Sequence, residues 1–347
     1  MSQTAYHPTT IYDISFGPLL LTSGDRLENV TLRYQLTGPP DAPVILVCHA
    51  LTGNHHTTAS QSESGWWDGL VGPSQYIDTN DYQILTFNAL GGCDGSTGPT
   101  STIPGTRTPY QADFPAITVR DMVHAQHMAL KKLGITELKA VIGGSLGGMQ
   151  VMEWGLLYPT FMEKLVILAA TPVFSSYGIA FNHIAASNIK HDPDWKGGYY
   201  KRDDLPLKGL EMARMVGMVT YRTPELFRKR FDNNGTPEQS DVMSYLNYQG
   251  KKLSNRFDPN SYLSLLETMN LHDIGLERGG WKQAASSFQR PILILSFEND
   301  LIYEPETIKT FASTVPHATY HHIQTDFGHD GFLTEFEKWG SLIADFL

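Results

Sequence analysis

Cysteine is scarce in this sequence, with only two residues, Cys48 and Cys93, among 347. Two thiols cannot build the disulfide framework on which small secreted domains depend, and their scarcity fits a reducing compartment. No apolar run reaches the length of a membrane span, and the first residues lack the basic and then apolar pattern of a secretory signal. We therefore expect a cytoplasmic protein that does not bind membranes.

Basic residues are also few, since 26 lysines and arginines stand against 36 aspartates and glutamates and the formal net charge is −10. This balance argues against a general surface for polyanions, so we expect no nucleic-acid partner, although single arginines can still bind a small anion. Histidines 49, 55 and 56 could hold a metal ion, but no carboxylate or cysteine lies around them at a zinc-like spacing. We predict no metal site.

The sequence is rich, by contrast, in short apolar runs that alternate with helical patterns. Residues 44–48 are a continuous apolar run of the kind found in strands that are buried on both faces, and residues 138–142, 165–170 and 291–297 are mostly apolar segments that also predict core strands. Residues 118–134 combine a capping-box start with an apolar stripe and predict a helix. The alternation predicts an α/β fold, with a mostly parallel central sheet flanked by helices.

Three segments depart from this alternation. Residues 11–35 have the pattern of antiparallel hairpins at a sheet edge, and residues 331–347 carry an apolar stripe that predicts one C-terminal helix. Residues 175–287 contain helical segments without intervening strands. We therefore predict a core domain made of residues 1–174 and 288–347, with a helical lid insertion over residues 175–287.

The stretch Gly-Gly-Ser-Leu-Gly-Gly at residues 143–148 lies between a predicted strand and a predicted helix. This is the setting of a G-x-S-x-G nucleophile elbow, where the glycines permit a strained turn and leave the serine hydroxyl exposed. The motif is short enough to arise by chance and needs a base and an acid elsewhere. In this interpretation Ser145 is the nucleophile, and the backbone N–H of Leu146 is one oxyanion donor.

A serine hydroxyl needs a base, which an acid orients, and in this arrangement the chain order is serine, acid, histidine. Asp300 follows the strand predicted after the lid; Glu298 is a rival in the same turn, and Asp300 could instead cap the next helix. His329 follows the last predicted strand and is the one histidine of thirteen that fits both order and position. Asp330 beside it is either the N-cap of the final helix or a substrate-binding carboxylate.

A glycine-dense segment at residues 88–101 follows another apolar strand pattern. It lacks the phosphate-loop pattern and the spacing of a dinucleotide fingerprint, so we do not interpret it as a nucleotide loop. Two interpretations stay open, a loop that approaches a ligand closely and a structural turn.

The motifs together resemble the homoserine O-acetyltransferase family of the α/β-hydrolase superfamily. The resemblance covers nearly the whole chain and rests on motifs at residues 49–53, 65–69, 88–99, 113–115, 120–123, 143–150, 245–250, 256–258 and 328–330. Long motifs in a shared order are far more specific than G-x-S-x-G alone. The resemblance implies an α/β-hydrolase fold and a step of methionine biosynthesis.

The resemblance further implies a ping-pong acyl transfer without a permanently bound cofactor. Ser145 would take the acyl group from an acyl-CoA, with acetyl-CoA as the expected donor substrate, and would pass it to the hydroxyl of homoserine. His329, held by Asp300, would move the protons, and the N–H groups of Leu51 and Leu146 would form the oxyanion hole. A serine O-acetyltransferase, a homoserine O-succinyltransferase of the same family and an esterase or thioesterase are the alternatives.

For the acceptor, the resemblance assigns Arg214 to the α-carboxylate and Asp330 to the α-ammonium group, while a lid salt bridge is the other interpretation of Arg214. It also implies a homodimer formed through the lid helices. One departure concerns the helix after Phe181 and Asn182, where family members usually have an arginine and this chain has none. The departure leaves the choice of acyl donor and acceptor open.

Overall fold

The structure, a computed structural model, describes residues 9–59, 64–201, 205, 207–232 and 241–347. Within these residues the strands are β1 (Thr10–Phe16), β2 (Leu19–Leu20), β3 (Arg26–Leu27), β4 (Val30–Thr37), β5 (Val44–Cys48), β6 (Val71–Gly72), β7 (Ile77–Asp78), β8 (Gln83–Phe87), β9 (Leu138–Gly144), β10 (Met162–Leu168), β11 (Ile292–Phe297) and β12 (Ala318–Ile323). The α-helices are α1 (Val119–Lys132), α2 (Leu146–Leu157), α3 (Ser176–Lys190), α4 (Leu207–Thr220), α5 (Pro224–Phe231), α6 (Asp241–Ser254), α7 (Pro259–Asn270), α8 (Trp281–Ser286), α9 (Pro305–Thr314) and α10 (Gly340–Phe346).

The main sheet has the strand order β1-β4-β8-β5-β9-β10-β11-β12. Strand β4 pairs antiparallel with β1 and with β8, while every other neighbouring pair in the sheet is parallel. The predictions of a mostly parallel sheet and of an antiparallel N-terminal edge are confirmed. Because β5 lies between β8 and β9, the order reverses there, and open α/β sheets bind ligands at such a switch point.

Both faces of the sheet are packed with apolar side chains, which explains the continuous apolar runs in the strands. Trp154 is fully buried on the face covered by α1 and α2, and Trp67 and Trp339 are fully buried on the other. Helix α1 begins with the predicted capping box, in which Thr118 and Asp121 each bond the backbone of the other. The sequence therefore specifies this helix start locally.

The prediction of one C-terminal helix over residues 331–347 is wrong. The segment contains the 3₁₀ helices Gly328–Leu333 and Phe336–Lys338, and only α10 is α-helical. The break lies at Glu335, whose φ of 49° is left-handed, and its carboxylate accepts a hydrogen bond from Thr325. The apolar stripe is real, because Phe332, Trp339 and Ile343 are buried, but the chain buries it through successive turns.

Helices α3 to α8 occupy the chain between β10 and β11, where the lid insertion is predicted. Residues of α3 and α4 line the same pocket as Ser145, so these helices cover the switch-point edge of the sheet. None of the helices among the described residues has the length and apolar composition of a transmembrane segment.

Candidate active site

Ser145 occupies a sharp turn between β9 and α2. Its φ of 57° and ψ of −126° are strained for a residue with a side chain, as a nucleophile elbow requires. Neighbouring glycines permit the turn: a Cβ on Gly147 would lie 2.0 Å from the Cys48 carbonyl oxygen, and a Cβ on Gly143 would lie 2.5 Å from the backbone of Gly147. The glycines are thus required by close backbone packing.

Ser145, His329 and Asp300 form a continuous chain of hydrogen bonds. His329 Nε2 lies 3.0 Å from Ser145 Oγ, and His329 Nδ1 lies 2.7 Å from Asp300 Oδ2. All three residues are at most 4% exposed. The order along the chain and the contacts suit a nucleophile, a base and an orienting acid.

The turn after β11 separates the two candidate acids. Asp300 Oδ1 accepts hydrogen bonds from the N–H groups of Ile302 and Tyr303, both at 2.9 Å, which leaves Oδ2 for His329. Glu298 instead lies 2.5 Å from His322 Nε2. Of the two carboxylates, Asp300 contacts His329, and Glu298 contacts His322 on β12.

Two backbone amides next to the serine suit an oxyanion hole. The N–H groups of Leu51 and Leu146 donate to no other group in the described part of the chain. Leu51 follows β5 and lines the pocket of Ser145, and Leu146 is the first residue of α2. Free N–H groups at a helix start and in a neighbouring loop can stabilise a developing negative charge.

His49 holds the loop that carries Leu51. Its Nε2 accepts a hydrogen bond from the Ala89 N–H, and its Nδ1 lies 2.8 Å from the Ala50 carbonyl oxygen, so the proton of the neutral ring is on Nδ1. Burial lowers the pKa of His49 to about 4, which keeps the ring neutral near pH 7. His49 therefore joins the loops after β5 and β8 and has a structural role.

A pocket opens at Ser145 and His329, between the sheet edge and helices α3 and α4. Arg214 on α4 lines it, and no ion pair of Arg214 with a carboxylate occurs among the described residues. Its Nη1 lies 3.5 Å from Thr52 Oγ1, and its guanidinium lies over the ring of Tyr221. The alternative interpretation of Arg214 as a lid salt bridge is therefore not supported, and the cation faces a pocket that could take a carboxylate.

Asp330 also lines this pocket and pairs with Arg222, which no sequence motif indicates. Its Oδ2 lies 2.9 Å from Nε of Arg222, whose guanidinium lies over the ring of Tyr245. Asp330 lies inside the 3₁₀ helix Gly328–Leu333 and is not its N-cap. No spacing rule joins two residues 108 positions apart, so only the fold shows the pair.

The turn between α4 and α5 is fastened to the loop that carries His329. The Asp330 N–H donates to the Tyr221 carbonyl oxygen at 3.1 Å, and Thr223 Oγ1 donates to the carbonyl oxygen of Asp326. An ion pair of 2.6 Å joins Lys229 to the Asp326 carboxylate. Together with the Arg222 ion pair, these contacts form what we call the turn-loop clamp, made of residues 221–229 and 326–330.

The remaining sequence candidates are the histidines at 55 and 56 and the glycine-dense loop at residues 88–101. The ring centroids of His55 and His56 lie 4.3 Å apart with the planes tilted by 34°, and no group of three or more potential metal ligands occurs within the described ranges. In the glycine-dense loop, Ser96 Oγ donates to the Asn88 carbonyl oxygen at 2.6 Å, and the Gly91 N–H donates to that of Thr97 at 2.8 Å. These contacts favour the structural interpretation of that loop.

Comparisons with known proteins agree with this architecture. The family model described as alpha/beta hydrolase fold matches residues 43–336. A homoserine O-acetyltransferase of Symbiobacterium thermophilum is 42% identical over 95% of this chain and 92% of its own. The crystal structure of a homoserine O-acetyltransferase from Staphylococcus aureus is 32% identical, with a TM-score of 0.83 over 97% of this chain and 95% of that one. A variant of esterase E22 is 25% identical, with a TM-score of 0.90 over 97% and 99% of the two chains. The expected α/β-hydrolase fold is confirmed.

Proposed function

Since the chain belongs to the homoserine O-acetyltransferase family of α/β-hydrolase-fold enzymes, we propose that it transfers the acetyl group of acetyl-CoA to the hydroxyl of L-homoserine. The observation that carries the proposal is that two sets of groups meet at one pocket. One set is the hydrogen-bonded chain of Ser145, His329 and Asp300, and the other is the cation of Arg214 with the carboxylate of Asp330. The first suits acyl transfer, and the second suits an amino-acid acceptor.

In the first half-reaction, Ser145 Oγ attacks the thioester carbonyl carbon while its proton moves to His329 Nε2. The N–H groups of Leu51 and Leu146 stabilise the tetrahedral oxyanion. The carbon–sulfur bond then breaks, and the CoA thiol leaves with the proton from His329. Asp300 stays ionised and holds the imidazole so that Nε2 faces the serine. The product is an acyl-Ser145 ester.

In the second half-reaction, His329 takes the proton of the homoserine hydroxyl, which attacks the acyl-serine carbonyl carbon. The bond to Ser145 Oγ breaks, and the serine recovers a proton from His329. Arg214 would bind the α-carboxylate of the acceptor and Asp330 its α-ammonium group, which places the hydroxyl near the base. Arg222 takes up Oδ2 of Asp330, so Oδ1 is the oxygen left for the ammonium group.

Transfer requires that the acyl-enzyme be protected from water. Ser145 and His329 are both 4% exposed, and α3 and α4 cover them, which supports a lid role for residues 175–287. Hydrolysis is the rival function, since the fold also matches an esterase. The difference between the two functions is therefore the fate of the acyl-serine.

The experiment that tests the proposal measures CoA release with acetyl-CoA or succinyl-CoA, each with homoserine, with serine and without an acceptor. We expect the fastest release with acetyl-CoA and homoserine, and slow release without an acceptor. Release that is equally fast without an acceptor would identify a hydrolase. A preference for succinyl-CoA or for serine would change the substrate and keep the acyl-serine chemistry.

For Arg214→Ala we expect the KM for homoserine to rise by about 10- to 100-fold, because a charge-assisted contact to the carboxylate is lost. Formation of the acyl-enzyme from acetyl-CoA alone should persist. Steady-state kinetics and intact-mass measurement give the two quantities. Arg26→Ala is the matched control, because Arg26 is exposed, pairs with Glu28 and does not line the pocket. An unchanged KM for homoserine would assign Arg214 a structural role.

Two further expectations concern assembly and location. Exposed apolar side chains on the helices between β10 and β11 support a homodimer formed through these helices. These side chains are Tyr177, Ile184, Met212, Val219, Met243 and Tyr248. The homodimer and a cytoplasmic location stay predictions.

A further inference from the structure

Tyr303 contacts all three residues of the hydrogen-bonded chain. Its hydroxyl oxygen lies 3.4 Å from Ser145 Oγ, and its ring stacks on the imidazole of His329 with 5.0 Å between the centroids and 26° between the planes. Its backbone N–H donates to Asp300 Oδ1 at 2.9 Å. The side chain is fully buried, and Phe174 packs on its other side at 5.7 Å. Tyr303 is thus held rigidly at the nucleophile.

Ser145 has one hydroxyl proton and two acceptors within reach. One is His329 Nε2 at 3.0 Å, and the other is the Tyr303 hydroxyl oxygen at 3.4 Å. The shorter contact and the more basic atom favour His329. Once the Ser145 proton moves towards His329 Nε2, the Tyr303 hydroxyl oxygen no longer accepts a hydrogen bond from Ser145.

The Tyr303 hydroxyl keeps its own proton. Burial raises the pKa of Tyr303, so the phenol stays neutral at pH 7. In the described part of the chain, Ser145 Oγ is the one hydrogen-bond partner of this hydroxyl. Because a phenol O–H rotates about its C–O bond, its proton can turn towards the serine oxygen.

We propose that Tyr303 is a catalytic residue, whose hydroxyl donates a hydrogen bond to Ser145 Oγ when that oxygen gains negative charge. In the first half-reaction this is the attack on the acyl carbon, during which the serine proton moves to His329 Nε2. In the second it is the departure of Oγ from the acyl carbon. Tyr303 keeps its proton throughout. The assignment to two half-reactions rests on the proposed function.

Such a hydrogen bond speeds the reaction because it is stronger in the transition state. Hydrogen bonds to charged oxygen atoms are about twice as strong as those between neutral groups. A contact that strengthens only as charge develops raises kcat and has little effect on KM. A residue that merely filled space would show the opposite pattern, with lost stability and intact chemistry.

Tyr303→Phe removes the hydroxyl and keeps the ring that stacks on His329. We expect kcat with acetyl-CoA and homoserine to fall by about 10-fold, with the KM for both substrates within about twofold of wild type. Both half-reactions should slow in rapid-quench measurements, because Oγ carries charge in each. Tyr320→Phe is the matched control, since it breaks a hydroxyl contact of 2.7 Å with Ser296 outside the pocket.

The rate of p-nitrophenyl acetate cleavage separates this proposal from the proposed function. This activated ester acylates a reactive serine whatever its natural donor and acceptor, so the comparison of wild type with Tyr303→Phe stays readable even if homoserine is no substrate. We expect the same fall of about 10-fold, and a matching fall in the rate of phosphonylation of Ser145 by a fluorophosphonate. Wild-type rates in a Tyr303→Phe protein that unfolds at the normal temperature would overturn the proposal. A rise in the homoserine KM with unchanged rates of ester cleavage would also overturn it, because Tyr303 would then act on the acceptor pocket.

Discussion

Replacement of Ser145 by alanine is expected to abolish the acyl-enzyme and to lower turnover by roughly 10⁴- to 10⁶-fold. Ser145 Oγ is the atom that His329 Nε2 contacts at 3.0 Å, and the proposed mechanism places the acyl group on this oxygen. Alanine keeps the Cβ and hence the backbone constraints of the elbow. The fold should therefore persist while the chemistry stops.

Intact-mass measurement after addition of acetyl-CoA checks this result. Wild type should gain the mass of one acetyl group, which homoserine then removes, and Ser145→Ala should gain none. Ser313→Ala, at an exposed position on α9, is the control and should behave as wild type. Turnover of Ser145→Ala near the wild-type rate would remove Ser145 from the mechanism.

For Asp300→Asn we expect kcat to fall by about 10⁴-fold with little change in the fold. The two N–H groups of Ile302 and Tyr303 point at one oxygen of residue 300, so the asparagine carbonyl oxygen would occupy that position. Its NH₂ group would then face His329 Nδ1, 2.7 Å away in wild type. The imidazole would have to accept there and carry its proton on Nε2, where it cannot take the proton of Ser145.

The rate of acylation by p-nitrophenyl acetate as a function of pH tests this explanation. Glu298→Gln is the matched control, because Glu298 lies in the same turn and contacts His322. The control should retain most of its activity, and Asp300→Asn should stay slow across the neutral range. If Glu298→Gln were the slower variant, the acid would be Glu298.

The sequence predicted the parts of the molecule that depend on local patterns. The apolar runs gave the parallel strands, the glycines on both sides of Ser145 indicated the elbow, and chain order pointed to Asp300 and His329, which the structure joins by hydrogen bonds. Local rules suffice here because a parallel α/β sheet brings the ends of its strands to one edge. Given the strand order, residues far apart in sequence become neighbours.

Contacts between side chains from unrelated segments could not be predicted in this way. Arg222 and Asp330 meet because the turn after α4 folds onto the loop after β12, and neither segment carries a motif for the other. The prediction of one C-terminal helix was wrong because the apolar stripe determines which residues are buried and does not determine the backbone conformation. The backbone turns at Glu335, whose φ is positive. The sequence did not indicate Tyr303, because no known motif places a catalytic tyrosine three residues after the acid.

The turn-loop clamp couples the turn beside the acceptor pocket to the position of the base, His329. Because residues 221–229 are bonded to residues 326–330, a displacement of the turn between α4 and α5 would also displace the loop that carries His329. Water needs the same base as homoserine to attack the acyl-serine. If the turn moved while Ser145 carried an acyl group, His329 could not activate water, and the ester would persist. The clamp would therefore allow the acyl group to leave Ser145 only when the acceptor pocket is closed.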